Sequence, residues 1–221
     1  FGDRLWLAAS GLRGWLARVP LSSRYIRLTF SLAAGLIFYI FRIRHLGWGD
    51  AVLLVKALDH PYLITYVWQA PLDVYLHARG FQIGSALFGW ADPTPVYALL
   101  SSLAGAAFIY VLSGVALLLG RNRAERFLAF SAVATLGAMQ LFFGYIENYA
   151  FMTLGALLYV WAALRYLRGE LTLIWPATIL ALTHAFHPST INLTPSFLYL
   201  DFAAGPMRAR NEASAQGVLR A

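Results

Sequence analysis

Apolar stretches of helix length, separated by short turns that carry arginine, dominate the sequence from residue 26 to residue 204. A membrane-spanning helix needs roughly 20 mostly apolar residues. Six stretches approach that: Ile26–Ile43, Pro95–Leu119, Phe127–Phe143, Tyr149–Leu164, Leu171–Phe186 and Ile191–Ala204. The first needs Arg27 and Arg42 to extend outward to headgroup depth. The last two are interrupted by Pro176, Pro188 and Pro195, so kinked or half-inserted segments are expected there. Charged residues make up only 12% of the chain, against about 25% in a soluble domain. That excludes an ordinary cytosolic domain and a disordered chain. The absence of cysteine excludes a disulfide-stapled secreted module. The expected fold class is therefore all-α, a polytopic transmembrane helix bundle.

The net charge of +7 would suggest a nucleic-acid partner in a soluble protein. Here the basic residues lie in turns between apolar runs, so they are assigned to topology and no nucleic-acid partner is expected. Placing the N-terminus in the cytoplasm puts 13 of the 17 basic residues on the cytoplasmic side, from Arg4 to Arg27, at Arg121, Arg123 and Arg126, at Arg165 and Arg168, and in the tail. Arg42, Arg44, Lys56 and Arg79 remain outside. This is the positive-inside arrangement of an integral protein, with a bacterial inner membrane as the expected location. Three parts follow. Residues 1–25, with Trp6 and Trp15 among arginines, suit a helix lying in the cytoplasmic interface. Residues 26–204 form the bundle. Residues 205–221 form a polar tail or the start of a loop cut short.

The same topology puts all five histidines, and Asp50, Asp59, Asp73, Asp92 and Glu147, on the extracytoplasmic side. Groups that exchange protons near neutral pH thus collect on one face. The extracytoplasmic loop over residues 44–94 contains two amphipathic stretches, Asp50–His60 and Ala70–Trp90, that are expected to roof the bundle. In the first, Ala51, Leu54, Val55 and Leu58 share an arc opposite Val52, Lys56 and Asp59. The second opens with Pro71 in its first turn, and Asp73 and His77 are four apart on one face.

Two acids stand out. Asp50 follows Gly47-Trp48-Gly49, where the backbone can turn tightly; it either caps the next helix or faces a cavity. Glu147 lies in a connection so short that the acid must sit at the membrane surface, a costly place for charge. It is either a helix cap or a functional carboxylate. Its aromatic neighbours Tyr145 and Tyr149 suit either an interfacial belt or stacking against a sugar ring, and Asn148 is a further candidate substrate contact. Asp73 and His77 are either an exposed ion pair or substrate-facing. Lys56 and Arg79 are candidates for holding a phosphate. His184 and His187, three apart, offer contact to phosphate or metal, or polar decoration of a span end; two histidines without cysteine are a thin zinc signal.

An acid after the first span, a long first extracytoplasmic loop with two surface helices, a second acid in the next extracytoplasmic connection and basic cytoplasmic turns together resemble the GT-C superfamily of integral-membrane glycosyltransferases. That group includes protein mannosyltransferases and lipid A aminoarabinose transferases. The resemblance covers residues 20–204 and rests on layout. It implies transfer of a sugar from a polyprenyl-phosphate donor in the membrane to an extracytoplasmic acceptor. It also implies Asp50 as catalytic base and Glu147 as the second acid, which in some members assists a divalent cation. Many members carry a paired acidic motif where this chain has Glu147 alone, and members have more spans, so further spans are expected beyond Ala221. A competing expectation is a non-catalytic membrane scaffold or subunit that binds lipid or a partner protein. No mid-span array of ionisable residues favours a transporter. The sequence leaves the oligomeric state open.

Overall fold

The computed structural model describes residues 23–59 and 69–204. The expected interfacial helix over residues 1–22, the end of the first loop helix at His60 and the tail after residue 204 lie outside them. The described residues are helical, with no strand among them. The helices are α1 (Arg24–Ile40), α2 (Ala51–Asp59), α3 (Pro71–Phe88), α4 (Thr94–Leu119), α5 (Arg123–Ala134), α6 (Ala138–Phe142), α7 (Ala150–Leu167), α8 (Ile174–Phe186) and α9 (Thr194–Tyr199). A 3₁₀ segment, Pro188–Leu193, precedes α9 and a π segment, Leu200–Ala204, follows it.

Two of these helices, α4 with 26 residues and α7 with 18, are long and apolar enough to cross a membrane. They correspond to the expected spans Pro95–Leu119 and Tyr149–Leu164. At 1.5 Å per residue they reach about 39 and 27 Å. The other four expected spans take different forms. The first is α1, 17 residues long. The stretch Phe127–Phe143 is broken at residues 135–137 into α5 and the one-turn α6. At that end of α5 the Ser131 carbonyl accepts both the Thr135 N–H at 3.0 Å and the Thr135 hydroxyl at 2.7 Å. The stretch Leu171–Phe186 narrows to the 13-residue α8, and Ile191–Ala204 is divided among the 3₁₀, α and π segments.

Helix α4 is the central column. Glycines let its neighbours approach closely: Gly35 of α1 lies against Ala106 and Ser102 of α4, and Gly155 of α7 lies against Thr183 of α8. One apolar cluster in mid-bundle joins Ala104, Phe108, Ile109 and Leu112 of α4 to Met139, Phe143 and Ala150. A second, Tyr159, Tyr166, Leu180 and Leu200, joins α7 and α8 to the chain's last segment. The third lies at one end. There Ala51, Leu54 and Leu58 of α2 and Val74 of α3 pack on Val96 and Tyr97 of α4 and on Tyr145 and Ile146. The two loop helices thus cover the start of α4, as the hydrophobic arcs predict. In α2, Ala51, Leu54 and Leu58 are buried while Val52 and Lys56 are exposed.

Helix α3 starts at Pro71, whose missing N–H costs nothing in a first turn, and stops at Gly89, which adopts φ +67°. Its Gly84 lies directly under the Trp90 ring. This turn sends the chain into α4, where the Asp92 carboxylate accepts the Thr94 N–H at 2.8 Å.

Candidate functional site

The end covered by α2 and α3 also gathers the chemistry. The turn before α2 docks on the short connection 143–149. Tyr145 pins it: its hydroxyl donates to the Trp48 carbonyl at 2.8 Å and accepts the Trp48 N–H at 3.0 Å. The Asp50 N–H donates to Glu147 Oε1 at 3.2 Å. Gly49, at φ +56°, makes the approach possible, because a Cβ there would overlap the Glu147 carboxylate. The connection is itself fixed to α4, where the Gly144 N–H donates to Ser101 Oγ at 3.0 Å. Two acids 97 positions apart in sequence therefore share one junction.

The two acids are differently placed. Asp50 is exposed, and its carbonyl accepts the first helical bond of α2, from Leu54 at 2.9 Å. Glu147 is buried, and its Oε2 has no hydrogen-bond partner. Burial lifts the Glu147 carboxyl above its ordinary 4.5; the Asp50 N–H opposes this and the Asp50 charge adds to it.

Asp73 and His77 are not the exposed pair that their spacing allows. Both are buried, Asp73 completely and His77 to within 1%. His77 stacks on Tyr97 at 3.9 Å between centroids and meets Phe151 edge-on at 6.1 Å. Its Nδ1 lies 2.8 Å from the Asp73 main-chain oxygen and 3.1 Å from Asp73 Oδ2. The charges of Asp73 and Glu147 both act on Tyr97, and those of Glu147 and Asp50 both act on Tyr149. Tyr149 in turn lies 5.3 Å from the His187 ring, which the Asp73 charge also reaches. Asp50 with Glu147, Tyr149 with His187, and Asp73 with His77 and Tyr97 thus form three separate contacts, linked into a circuit only by the reach of their charges.

His187 accepts the Ser189 N–H on Nδ1 at 3.2 Å, so its neutral ring carries hydrogen on Nε2. Burial pushes its pKa down from the usual 6.5, with the Asp73 charge opposing. His184 uses both nitrogens locally, Nδ1 with Thr190 at 2.7 Å and Nε2 with Thr194 at 3.3 Å. Tyr145 is fully buried between its two Trp48 contacts and acts as a strut. Lys56 and Arg79 are both exposed; Arg79 bonds Gln82 at 2.9 Å and lies over Tyr75. Among the described residues neither pairs with an acid of the circuit. Asn148 is buried beside Glu147 with Oδ1 unpartnered.

Sequence reasoning missed Tyr97. Its available signal was its place two residues after Pro95, a polar head in the first turn of the most apolar helix. One Glu147 oxygen accepts a main-chain N–H, and among the described residues no group of three or more His, Cys, Asp or Glu is placed to hold a metal ion. Compared with protein families, with curated proteins and with solved structures, the chain matches none of them.

Two predictions follow from the junction. Gly49→Ala places a methyl group in the Glu147 carboxylate, whereas Gly89→Ala meets a similar backbone penalty, about 1–2 kcal/mol, with nothing nearby. In thermal unfolding of the purified protein Gly49→Ala is expected to cost clearly more than Gly89→Ala; equal costs would remove the contact's special role. Glu147→Gln keeps the Oε1 acceptor and removes the charge. A carboxyl whose pKa is raised by folding favours the native state at low pH, and that advantage fades as pH climbs from 4.5 through the raised value. As pH climbs above 4.5 the wild-type Tm should therefore fall more steeply than that of Glu147→Gln, and parallel curves would contradict the burial of this charge.

Proposed function

We propose that the chain is the membrane-embedded part of a glycosyltransferase, similar in layout to the GT-C superfamily. It moves a sugar from a polyprenyl-phosphate donor to an acceptor on the extracytoplasmic side. The observation that carries this reading is the shared junction of Asp50 and Glu147, next to buried polar side chains under the α2–α3 roof.

A bilayer setting is supported by the outward faces of the helices. Phe30, Leu32, Leu36, Ile37 and Ile40 of α1 are exposed, as are Leu99 and Leu103 of α4 and Leu182 of α8. An apolar face this continuous is costly in water and neutral in lipid. At the end opposite the acids, Arg126 Nε donates to the Gly120 carbonyl at 3.0 Å and the Arg168 guanidinium donates to the Leu118 carbonyl. Basic groups at one end and proton-exchanging groups at the other fit a cytoplasmic arginine side and an extracytoplasmic site.

In the proposed reaction Asp50, open to the outside, takes the proton of the acceptor hydroxyl. The hydroxyl oxygen forms a bond to the anomeric carbon, the bond from that carbon to the donor phosphate oxygen breaks, and polyprenyl phosphate departs with the electron pair. Glu147 holds the Asp50 main chain in place and sets the carboxylate's direction. Lys56 and Arg79, exposed on α2 and α3, are the residues assigned to the lipid phosphate.

Asp50→Asn should lower transfer from radiolabelled polyprenyl-phosphate sugars by about 10²–10⁴, with elution and thermal stability retained. Undiminished transfer by a folded Asp50→Asn protein would refute the role of Asp50.

A further inference from the structure

Under the α2–α3 roof the buried polar atoms are unbalanced between hydrogen-bond donors and acceptors. His77 Nδ1 faces two acceptors, the Asp73 carbonyl and Asp73 Oδ2, so the ring hydrogen sits on Nδ1. In the neutral imidazole Nε2 is then a bare lone pair, and it is buried without a hydrogen-bond partner. Asp73 Oδ1, Glu147 Oε2 and Asn148 Oδ1 are likewise buried and unpartnered, against two unpartnered hydroxyls on α4 that can donate, those of Tyr97 and Ser102. Buried polar groups normally find partners, so a cluster this one-sided calls for something that brings hydrogens to it.

A phosphate does not fit. It offers acceptors to acceptors, and negative charge to Asp73 and Glu147. A group of hydroxyls does fit, since each donates its hydrogen to a carboxylate, an amide oxygen or Nε2, while its own oxygen can take the Tyr97 O–H. The stacked faces of His77 and Tyr97, 3.9 Å apart and 17° from parallel, hold Nε2 in a fixed direction. We propose that this end of the molecule is a hydroxyl-binding subsite for the sugar of the donor, in which His77 Nε2 accepts one sugar hydroxyl and Asp73 orients the imidazole. The inference rests on the glycosyltransferase reading and deepens it. It divides the donor between a sugar pocket built of acceptors and a phosphate position at the cationic rim of Lys56 and Arg79.

The test uses the whole chain in lipid nanodiscs. The probes are citronellyl phosphate, its glucose, mannose and arabinose conjugates, and the monodeoxy forms of each sugar. His77→Phe keeps ring size and stacking but removes the nitrogen, while His77→Gln restores an acceptor oxygen. At least one sugar conjugate is expected to bind the wild type more tightly than citronellyl phosphate. His77→Phe should lose about tenfold of that affinity, as one deoxy analogue should on the wild type. His77→Gln should recover part of it, and the affinity for bare citronellyl phosphate should be the same in all three proteins. Imidazole ¹⁵N shifts of the wild type should show hydrogen on Nδ1 of His77 and none on Nε2; the reverse tautomer overturns the proposal. Equal losses for bare and sugar-bearing probes, or no loss in His77→Phe, also overturn it. Should His77→Phe fail to fold, the ¹⁵N spectrum and the deoxy series decide by the same criteria. Binding of citronellyl phosphate with no advantage from any sugar removes the subsite and leaves the polyprenyl-phosphate reading standing. No binding by any probe removes both.

Discussion

One hydrogen bond links the two halves of the site: the Asp50 N–H donating to the buried carboxylate of Glu147. It joins the turn that follows α1 to the connection that precedes α7, and so fixes where the α2–α3 roof sits on the bundle. The bond depends on Gly49, the residue that leaves room for the carboxylate, and on Tyr145, which grips the Trp48 main chain on both its N–H and its carbonyl. A buried acid is expensive, and a single main-chain donor offsets only part of its lost hydration. The strain on Glu147 is therefore carried by packing elsewhere, chiefly the Leu54, Val74, Val96 and Tyr97 cluster that seals the same end.

From that constraint the rest of the site follows. With the roof seated, α3 presses Asp73 and His77 against Tyr97 of α4 and Phe151 of α7, and the chain after α8 brings His187 against Tyr149. Three loops and two helices contribute to this end of the molecule, while Arg126 and Arg168 bond the Gly120 and Leu118 carbonyls at the far end.

Parts of this were legible in the sequence for clear reasons. The wheel of Ala51, Leu54 and Leu58 identified the buried face of α2 because a short helix on a surface must show its core side by periodicity. The continuous apolar runs of α4 and α7 marked them as long helices. Asp50 and Glu147 stood out by position, one after the first apolar stretch and one between the third and fourth, but the main-chain N–H through which Asp50 meets Glu147 was not readable. The break at residues 135–137 was not either, because composition across Phe127–Phe143 stays apolar and hydropathy carries no mark of where a helix stops. Nor was the burial of Asp73 and His77, since the i,i+4 spacing fixes which residues share a face and says nothing of which neighbour covers it. Tyr145 looked like a sugar contact by type; its role as a strut depends on a main-chain partner that no local pattern reveals.

The most direct test exploits the absence of cysteine from the chain. Asp50→Cys and Glu147→Cys are combined in one protein and treated with a short membrane-permeant bifunctional thiol reagent, since position 147 is buried; mass spectrometry of the digested protein reads the products. The account predicts a single bridge joining the two peptides. Separate one-ended adducts on each cysteine would contradict it.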